Sequence, residues 1–140
     1  MSPFAVALRE FRVTRGLRQS EAAEMLGYEQ TYISALELGT KGPPPESFVE
    51  RAVRVFGLDD ASEQRLRAAL QASQRRMMIP TDAPEGVYNL VNELWQQLDQ
   101  LHPAQIDLIR IALRFPQAFA VPPVRIERVR RRASATKGGP

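Results

Sequence analysis

The stretch QSEAAEMLGYEQTYISALE, residues 19–37, decides the fold expected for this chain. It predicts two short helices, at about residues 19–26 and 30–38, with Gly27 between them. Two helices that cross at about 90–120° need a small residue where their backbones approach, and Ala23 meets that need. The bend needs a residue that tolerates a positive φ, which Gly27 supplies.

Apolar spacing indicates which sides of these two helices are buried. Leu26, Ile33 and Leu36 can pack the helices against each other. The second helix then has an outward face of polar residues, which are Gln30, Thr31 and Ser34.

Helical periodicity continues on both sides of this unit, and no strand-like alternation is found. Ser2 is a suitable N-cap for a first helix that ends near Gly16. A fourth helix begins at residue 45 or 46 and stops at Gly57. A fifth opens at Asp60, which forms a capping-box pattern with Glu63, and fades near residue 77. The sequence therefore predicts an all-α protein.

Together these features resemble the phage-repressor-like (XRE) helix-turn-helix family over about residues 4–58. The matching positions are Leu17, Gln19, Ala23, Gly27, Ile33, Leu36, Glu37 and Gly39, followed by the fourth helix that ends in Phe56, Gly57 and Leu58. The resemblance implies a five-helix domain that binds double-stranded DNA, usually as a dimer on a pseudo-palindromic operator. The chain departs from the family at Arg18 and Glu29, where a smaller capping residue is usual, and at Ala22, where a large aliphatic is common.

The resemblance also implies which residues contact DNA. The second helix of the unit enters the major groove by its N-terminal end, where Gln30 can bond an adenine through two hydrogen bonds. Gln19 holds the family's phosphate-binding position, and Tyr32 either contacts a phosphate or joins the core. The full predicted set is Gln19, Gln30, Thr31, Tyr32, Ser34, Thr40 and Lys41. Each of these could instead be an ordinary solvated side chain. The family's buried ion pair falls on Arg12 and Glu37, where it would hold helices together and touch no base.

Composition argues against an enzyme and against a metal site or cofactor. The chain has no cysteine and one histidine, His102, which is read as a helix-boundary residue. No Ser-His-acid set and no phosphate loop can be assembled. No apolar run is long enough to cross a bilayer, and the N-terminus lacks signal-peptide features. We therefore expect a cytoplasmic, nucleoid-associated protein.

The net charge of +3 is unevenly distributed, at +1 over residues 1–80, −3 over 81–116 and +5 over 117–140. Arginine makes up 17 of the 19 basic residues, and it suits phosphate and guanine because of its bidentate geometry. A genome rich in G and C, with its preference for arginine codons, explains the excess equally well.

After a linker at residues 80–84, the sequence predicts a sixth helix, N-capped by Asp82, and a seventh at about residues 103–115. The sixth carries a two-heptad apolar seam, and the seventh is apolar around most of its surface. We expect a helical hairpin that pairs two chains, since a hairpin this short cannot bury such a surface alone. The alternative is that it folds back on the fifth helix. The predicted dimerisation residues are Val87, Val91, Leu94, Trp95, Leu98, Leu101, Ile106, Ile109 and Leu113.

The chain is thus divided into a DNA-binding domain (residues 1–79), a dimerisation hairpin (80–116) and a flexible basic tail (117–140). The tail's arginines, which either add non-specific DNA affinity or are simply solvated, are Arg125, Arg128, Arg130, Arg131 and Arg132. The leading hypothesis is a sequence-specific transcription regulator, a repressor rather than an activator. The alternatives are an antitoxin whose hairpin or tail binds a partner protein, and an architectural DNA-binding protein.

Overall fold

The computed structural model describes residues 1–115, and the predicted basic tail lies outside them. The described part is all-helical. Its helices are α1 (Pro3–Thr14), α2 (Gln19–Leu26), α3 (Gln30–Leu38), α4 (Glu46–Phe56), α5 (Asp60–Ala72), α6 (Glu85–Gln97) and α7 (Pro103–Leu113). The chain divides into two units, an N-terminal unit (Met1–Met77) and a C-terminal unit that begins at Met78.

Glycines in the left-handed conformation end α2 and α3. Gly27 has φ 75° and Gly39 has φ 74°, a region that residues with a Cβ atom seldom adopt. Because the chain leaves the helix at such a residue, both helices end where the sequence predicts, and their first residues also agree with the prediction. Ser2 caps α1 as predicted, and its hydroxyl accepts a hydrogen bond from the backbone N–H of Ala5 at 3.2 Å.

The core of the N-terminal unit lies between α1, α2, α3, α4 and α5. Helix α1 packs on α3 and α5, while α2 packs on α3 and α4. The largest side chains that are fully buried are Phe4, Phe48, Leu8, Leu26, Ile33, Leu36, Leu66 and Val49. Since Ile33 and Leu36 of α3 and Leu26 of α2 are among them, the two central helices are held to the core by the residues that the spacing predicts.

Two predicted caps are wrong. Asp59, not Asp60, caps α5, and its Oδ1 accepts the N–H of Ser62 at 2.8 Å. The three-residue spacing to Glu63 favours Asp60, but the cap forms without a glutamate at the third helical position, which is occupied by Ser62. Helix α6 begins after Pro84 rather than after Asp82. A proline disfavours helical φ and ψ in the residue before it, so a helix that starts at Ala83 is unfavourable.

The C-terminal unit contributes α6 and α7, and no residue of either helix is buried. His102 caps α7, where its Nδ1 accepts the N–H of Ala104 at 3.1 Å. The Oε1 of Gln105 accepts the N–H of His102 at 2.8 Å, which completes a reciprocal cap. None of the described helices has the length and apolar character needed to traverse a bilayer.

Candidate nucleic-acid interface

The N-terminal end of α3 is exposed, whereas its buried face is anchored. Gln30 and Thr31 are exposed and Ser34 is half-buried, while Ile33 and Leu36 are fully buried. Helix α3 therefore presents its polar face outwards from its first turn. A helix displayed in this way can place short polar side chains against the edges of bases in a major groove.

Glu37 anchors the other end of α3 through a buried ion pair. Its carboxylate is 4% exposed and accepts two hydrogen bonds from Arg12, from Nε at 2.6 Å and from Nη2 at 3.0 Å. Arg12 also donates through Nη1 to the carbonyl of Leu17 at 2.7 Å. The hydrogen bond to Glu37 is the main cause that raises the pKa of the Arg12 guanidinium. One arginine thus joins α1, the α1–α2 loop and α3.

Gln19, the first residue of α2, belongs to the same network. Its Nε2 donates to the Oε2 of Glu37 at 2.9 Å. A primary amide has two N–H groups, so one N–H of Gln19 remains for another acceptor, as do the backbone N–H groups that begin α2. The family resemblance implies a role for Gln19 and another for Glu37, but it does not include a hydrogen bond between the two.

Tyr32 packs at the edge of the core. Its ring stacks on Tyr28 with a centroid separation of 5.1 Å and lies 6.2 Å from the ring of Phe48. The Nζ of Lys41 lies 5.4 Å from the centroid of Tyr32. Burial, followed by the neighbouring Tyr28, raises the pKa of the Tyr32 hydroxyl. Of the two roles open to Tyr32, the ring therefore joins the core margin, and a phosphate contact by its hydroxyl stays a prediction.

Thr40 and Lys41 form the turn that follows α3. The backbone N–H groups of both residues donate to the carbonyl of Ala35, at 3.1 Å and 3.2 Å. The hydroxyl of Thr40 donates to the same carbonyl at 3.2 Å, and both side chains are exposed. The turn is thus fixed by its backbone, while Lys41 projects from it as a cation.

Arg51 is a contributor to this region that the sequence does not indicate. Its Nη1 donates to the carbonyl of Leu26 at 3.0 Å, at the end of α2, and its guanidinium lies 5.4 Å from the ring of Tyr28. It therefore holds the turn between α2 and α3 from α4. Periodicity places Arg51 on an exposed face and says nothing about its partner.

Residues 3–66 match the family model described as a helix-turn-helix domain. The N-terminal unit is a helix-turn-helix domain. The match includes α1 to α4 and the first half of α5, with α2 and α3 as the two central helices. Such a domain indicates a DNA-binding regulator. Comparison with curated proteins found no match, and neither did comparison with solved structures.

The predicted dimerisation residues lie outside the helix-turn-helix domain, on α6, on α7 and in the connection between them. Trp95 is 70% exposed and Leu113 is 74% exposed. Val87, Val91, Leu94 and Leu101 are half-buried, and Leu98, Ile106 and Ile109 are exposed. Leu94 and Leu101 also line a groove with Ile109 of α7. Among residues 1–115, no group of histidine and acidic side chains is arranged to hold a metal ion.

Proposed function

We propose that this protein is a sequence-specific, XRE-like transcription regulator that binds double-stranded DNA through α3. The observation that carries the proposal is the division of α3 into two parts. Its first turn exposes Gln30 and Thr31, while Glu37 near its end is buried and bonded to α1 and α2. A recognition helix needs this division, because bases are read only by side chains whose backbone is held in place.

The side chains on the outward face of α3 would contact the base edges. Gln30 donates and accepts through its amide, which matches N7 and N6 of adenine in the major groove. Thr31 and Ser34 supply hydroxyls for base edges, and the methyl of Thr31 can contact a thymine methyl. Because only three residues contact bases, the preference they create covers only a few base pairs.

Residues at the two ends of this surface would contact the DNA backbone. At the start of α2, Gln19 has an N–H directed by its bond to Glu37 and lies beside the backbone donors of the helix N-terminus. After α3, Thr40 and Lys41 occupy the exposed turn. Tyr32 would add its hydroxyl from the margin of the core. These contacts would fix the register of α3 on the duplex.

The protein would act as a homodimer. One domain reaches only one half-site and makes few phosphate contacts, so it would bind weakly alone. Both helices of the C-terminal unit have exposed apolar side chains, and neither contains a buried residue. Two hairpins could cover these surfaces by packing as four helices. A dimer of this kind would fit a pseudo-palindromic operator.

Repression follows most simply from such binding, because a dimer that occupies a promoter operator excludes RNA polymerase. This role requires no catalysis and would operate in the cytoplasm, at the nucleoid. The match to a helix-turn-helix family does not favour the antitoxin-type alternative.

The test is selection of binding sites from a random duplex library with the full chain, repeated with Gln30→Ala. We expect an enriched motif with two related halves, and a loss of about 1–3 kcal/mol with relaxed preference at one base pair per half-site in the variant. Gln64→Ala, at an exposed position on α5, is the matched control and should select the original motif. If no motif is enriched, or if Gln30→Ala selects the same motif with unchanged affinity, the proposal fails.

A further inference from the structure

Arg75 lies against the end of α3, although it belongs to the segment that follows α5. Its Nη2 donates to the carbonyl of Gly39, the residue that ends α3, at 3.2 Å. The sequence separation is 36 residues, so only tertiary packing brings these groups together. Lys41 follows Gly39 by two residues, and the two cations therefore belong to the same end of the recognition helix.

The position of Arg75 is fixed by the last turn of α5. The hydroxyl of Ser73, which is 7% exposed, accepts the backbone N–H of Phe4 at 2.8 Å and donates to the carbonyl of Ala69 at 2.7 Å. The side chain of Gln74 donates to the carbonyl of Leu70 at 3.2 Å. The bond between Ser73 and Phe4 holds the end of α5 against the start of α1. The backbone that leads to Arg75 is therefore held in place.

The end of α3 lies where a DNA backbone would pass. Helix α3 has 9 residues. At a rise of about 1.5 Å per residue, such a helix is about 13 Å long. The major groove is about 12 Å wide. A helix whose first turn contacts bases therefore brings its last turn to the phosphates at the rim of the groove.

Lys41 and Arg75 are both able to bind phosphate at the rim of the groove. Within residues 1–115, neither Lys41 nor Arg75 forms an ion pair with an acidic side chain. Arg75 uses one of its five N–H donors on Gly39, and a guanidinium can direct its others to a phosphate. The bond to Gly39 also restricts the side chain, which reduces the conformational entropy lost on binding.

We propose that Arg75 is a phosphate-binding residue which, together with Lys41, holds the DNA backbone at the C-terminal end of α3. The proposal rests on the proposed function, since it assumes that α3 enters the major groove. It adds to the interface a residue that lies beyond the matched segment, residues 3–66.

The test is the salt dependence of binding by the full chain, measured with a labelled duplex of arbitrary sequence and with a duplex selected by the wild type. Each phosphate contact contributes about 0.9 to the slope of log affinity against log salt. We expect Arg75→Ala to lower the slope by about 0.9 per bound domain on both duplexes. Arg75→Lys, which keeps the charge, should retain most of the slope.

Arg54→Ala is the matched control, because Arg54 is an exposed arginine on α4 whose neighbours one turn back include Glu50. Its slope should equal that of the wild type. An unchanged slope in Arg75→Ala, even with weaker binding or a lower melting temperature, would mean that Arg75 only caps α3 and would overturn the inference. If the wild type binds neither duplex, the proposed function fails and the inference fails with it.

Discussion

Replacing Arg12 with methionine should destabilise the helix-turn-helix domain more than replacing Arg12 and Glu37 together. The carboxylate of Glu37 is 4% exposed and receives three hydrogen bonds, two from Arg12 and one from Gln19. In Arg12→Met the negative charge stays in the core, with Gln19 as its remaining partner. In the double variant, with leucine at position 37, the buried charge is absent.

The magnitudes follow from the burial of the two partners. Removing one partner of a buried ion pair costs about 3–5 kcal/mol, because the other charge is left without compensation. Replacing both partners with apolar residues of similar volume is often neutral or stabilising. We therefore expect Arg12→Met to lower the free energy of unfolding by about 3 kcal/mol, at the lower end because Gln19 remains. The double variant should differ from the wild type by about 1 kcal/mol or less.

The assay is urea unfolding of the full chain, followed by far-ultraviolet circular dichroism because all described secondary structure is helical. The pair between Arg65 and Glu10 is the control, since these side chains are 57% and 48% exposed. Arg65→Met should cost about 1 kcal/mol or less, as expected of a pair in water. If the double variant is as unstable as Arg12→Met, the carboxylate is not the source of the loss and the reasoning is refuted.

Three further outcomes are expected. The hydrogen bond to Ser62 lowers the pKa of Asp59. The stability that this carboxylate contributes is therefore present above its unfolded pKa and disappears as pH falls through the lower pKa of the folded state. Asp59→Asn should keep the cap but flatten this acid dependence in thermal melts, and an unchanged dependence would contradict the prediction. Leu94→Glu should give a monomer by sedimentation while the control Asn92→Glu, at an exposed site on α6, does not, and a dimer in both would reject the hairpin as the interface. Arg51→Lys should lower the melting temperature, because a lysine cannot both bond the Leu26 carbonyl and place its charge over the ring of Tyr28. An unchanged melting temperature would show that these two contacts of the guanidinium do not stabilise the domain.

The sequence predicts the central helices well because their limits are set by local chemistry. Gly27 and Gly39 adopt a left-handed backbone conformation that few other residues tolerate, so the ends of α2 and α3 are marked by the residues themselves. The apolar positions of α3 repeat with helical spacing, and Ile33 and Leu36 are accordingly buried. The outward face of Gln30 and Thr31 follows from the same periodicity.

Features that depend on long-range packing could not be predicted. Gln19 and Glu37 both match family positions, but their mutual hydrogen bond requires the crossing of α2 and α3. Tyr32 has helical spacing compatible with either the surface or the core, and its contacts with the rings of Tyr28 and Phe48, which place its ring at the margin of the core, come from other parts of the domain. Arg75 has no motif at all, because its partner is a backbone carbonyl 36 residues away.

The arginine content has a structural explanation that total charge conceals. Helices α2, α3 and α4 each end in a left-handed glycine, and at each of these ends an arginine from elsewhere in the domain bonds a terminal carbonyl. A genome-wide preference for arginine codons would raise the number of arginines but would not place three of them at these three ends. A guanidinium suits this position because it directs several donors at once and favours the negative end of the helix dipole. Arg15 and Arg51 are directed at helix ends rather than at the duplex, so DNA binding by the domain depends on a few other cations, with Arg75 proposed to serve both purposes. The three contacts are Arg51 to Leu26, Arg75 to Gly39 and Arg15 to Phe56.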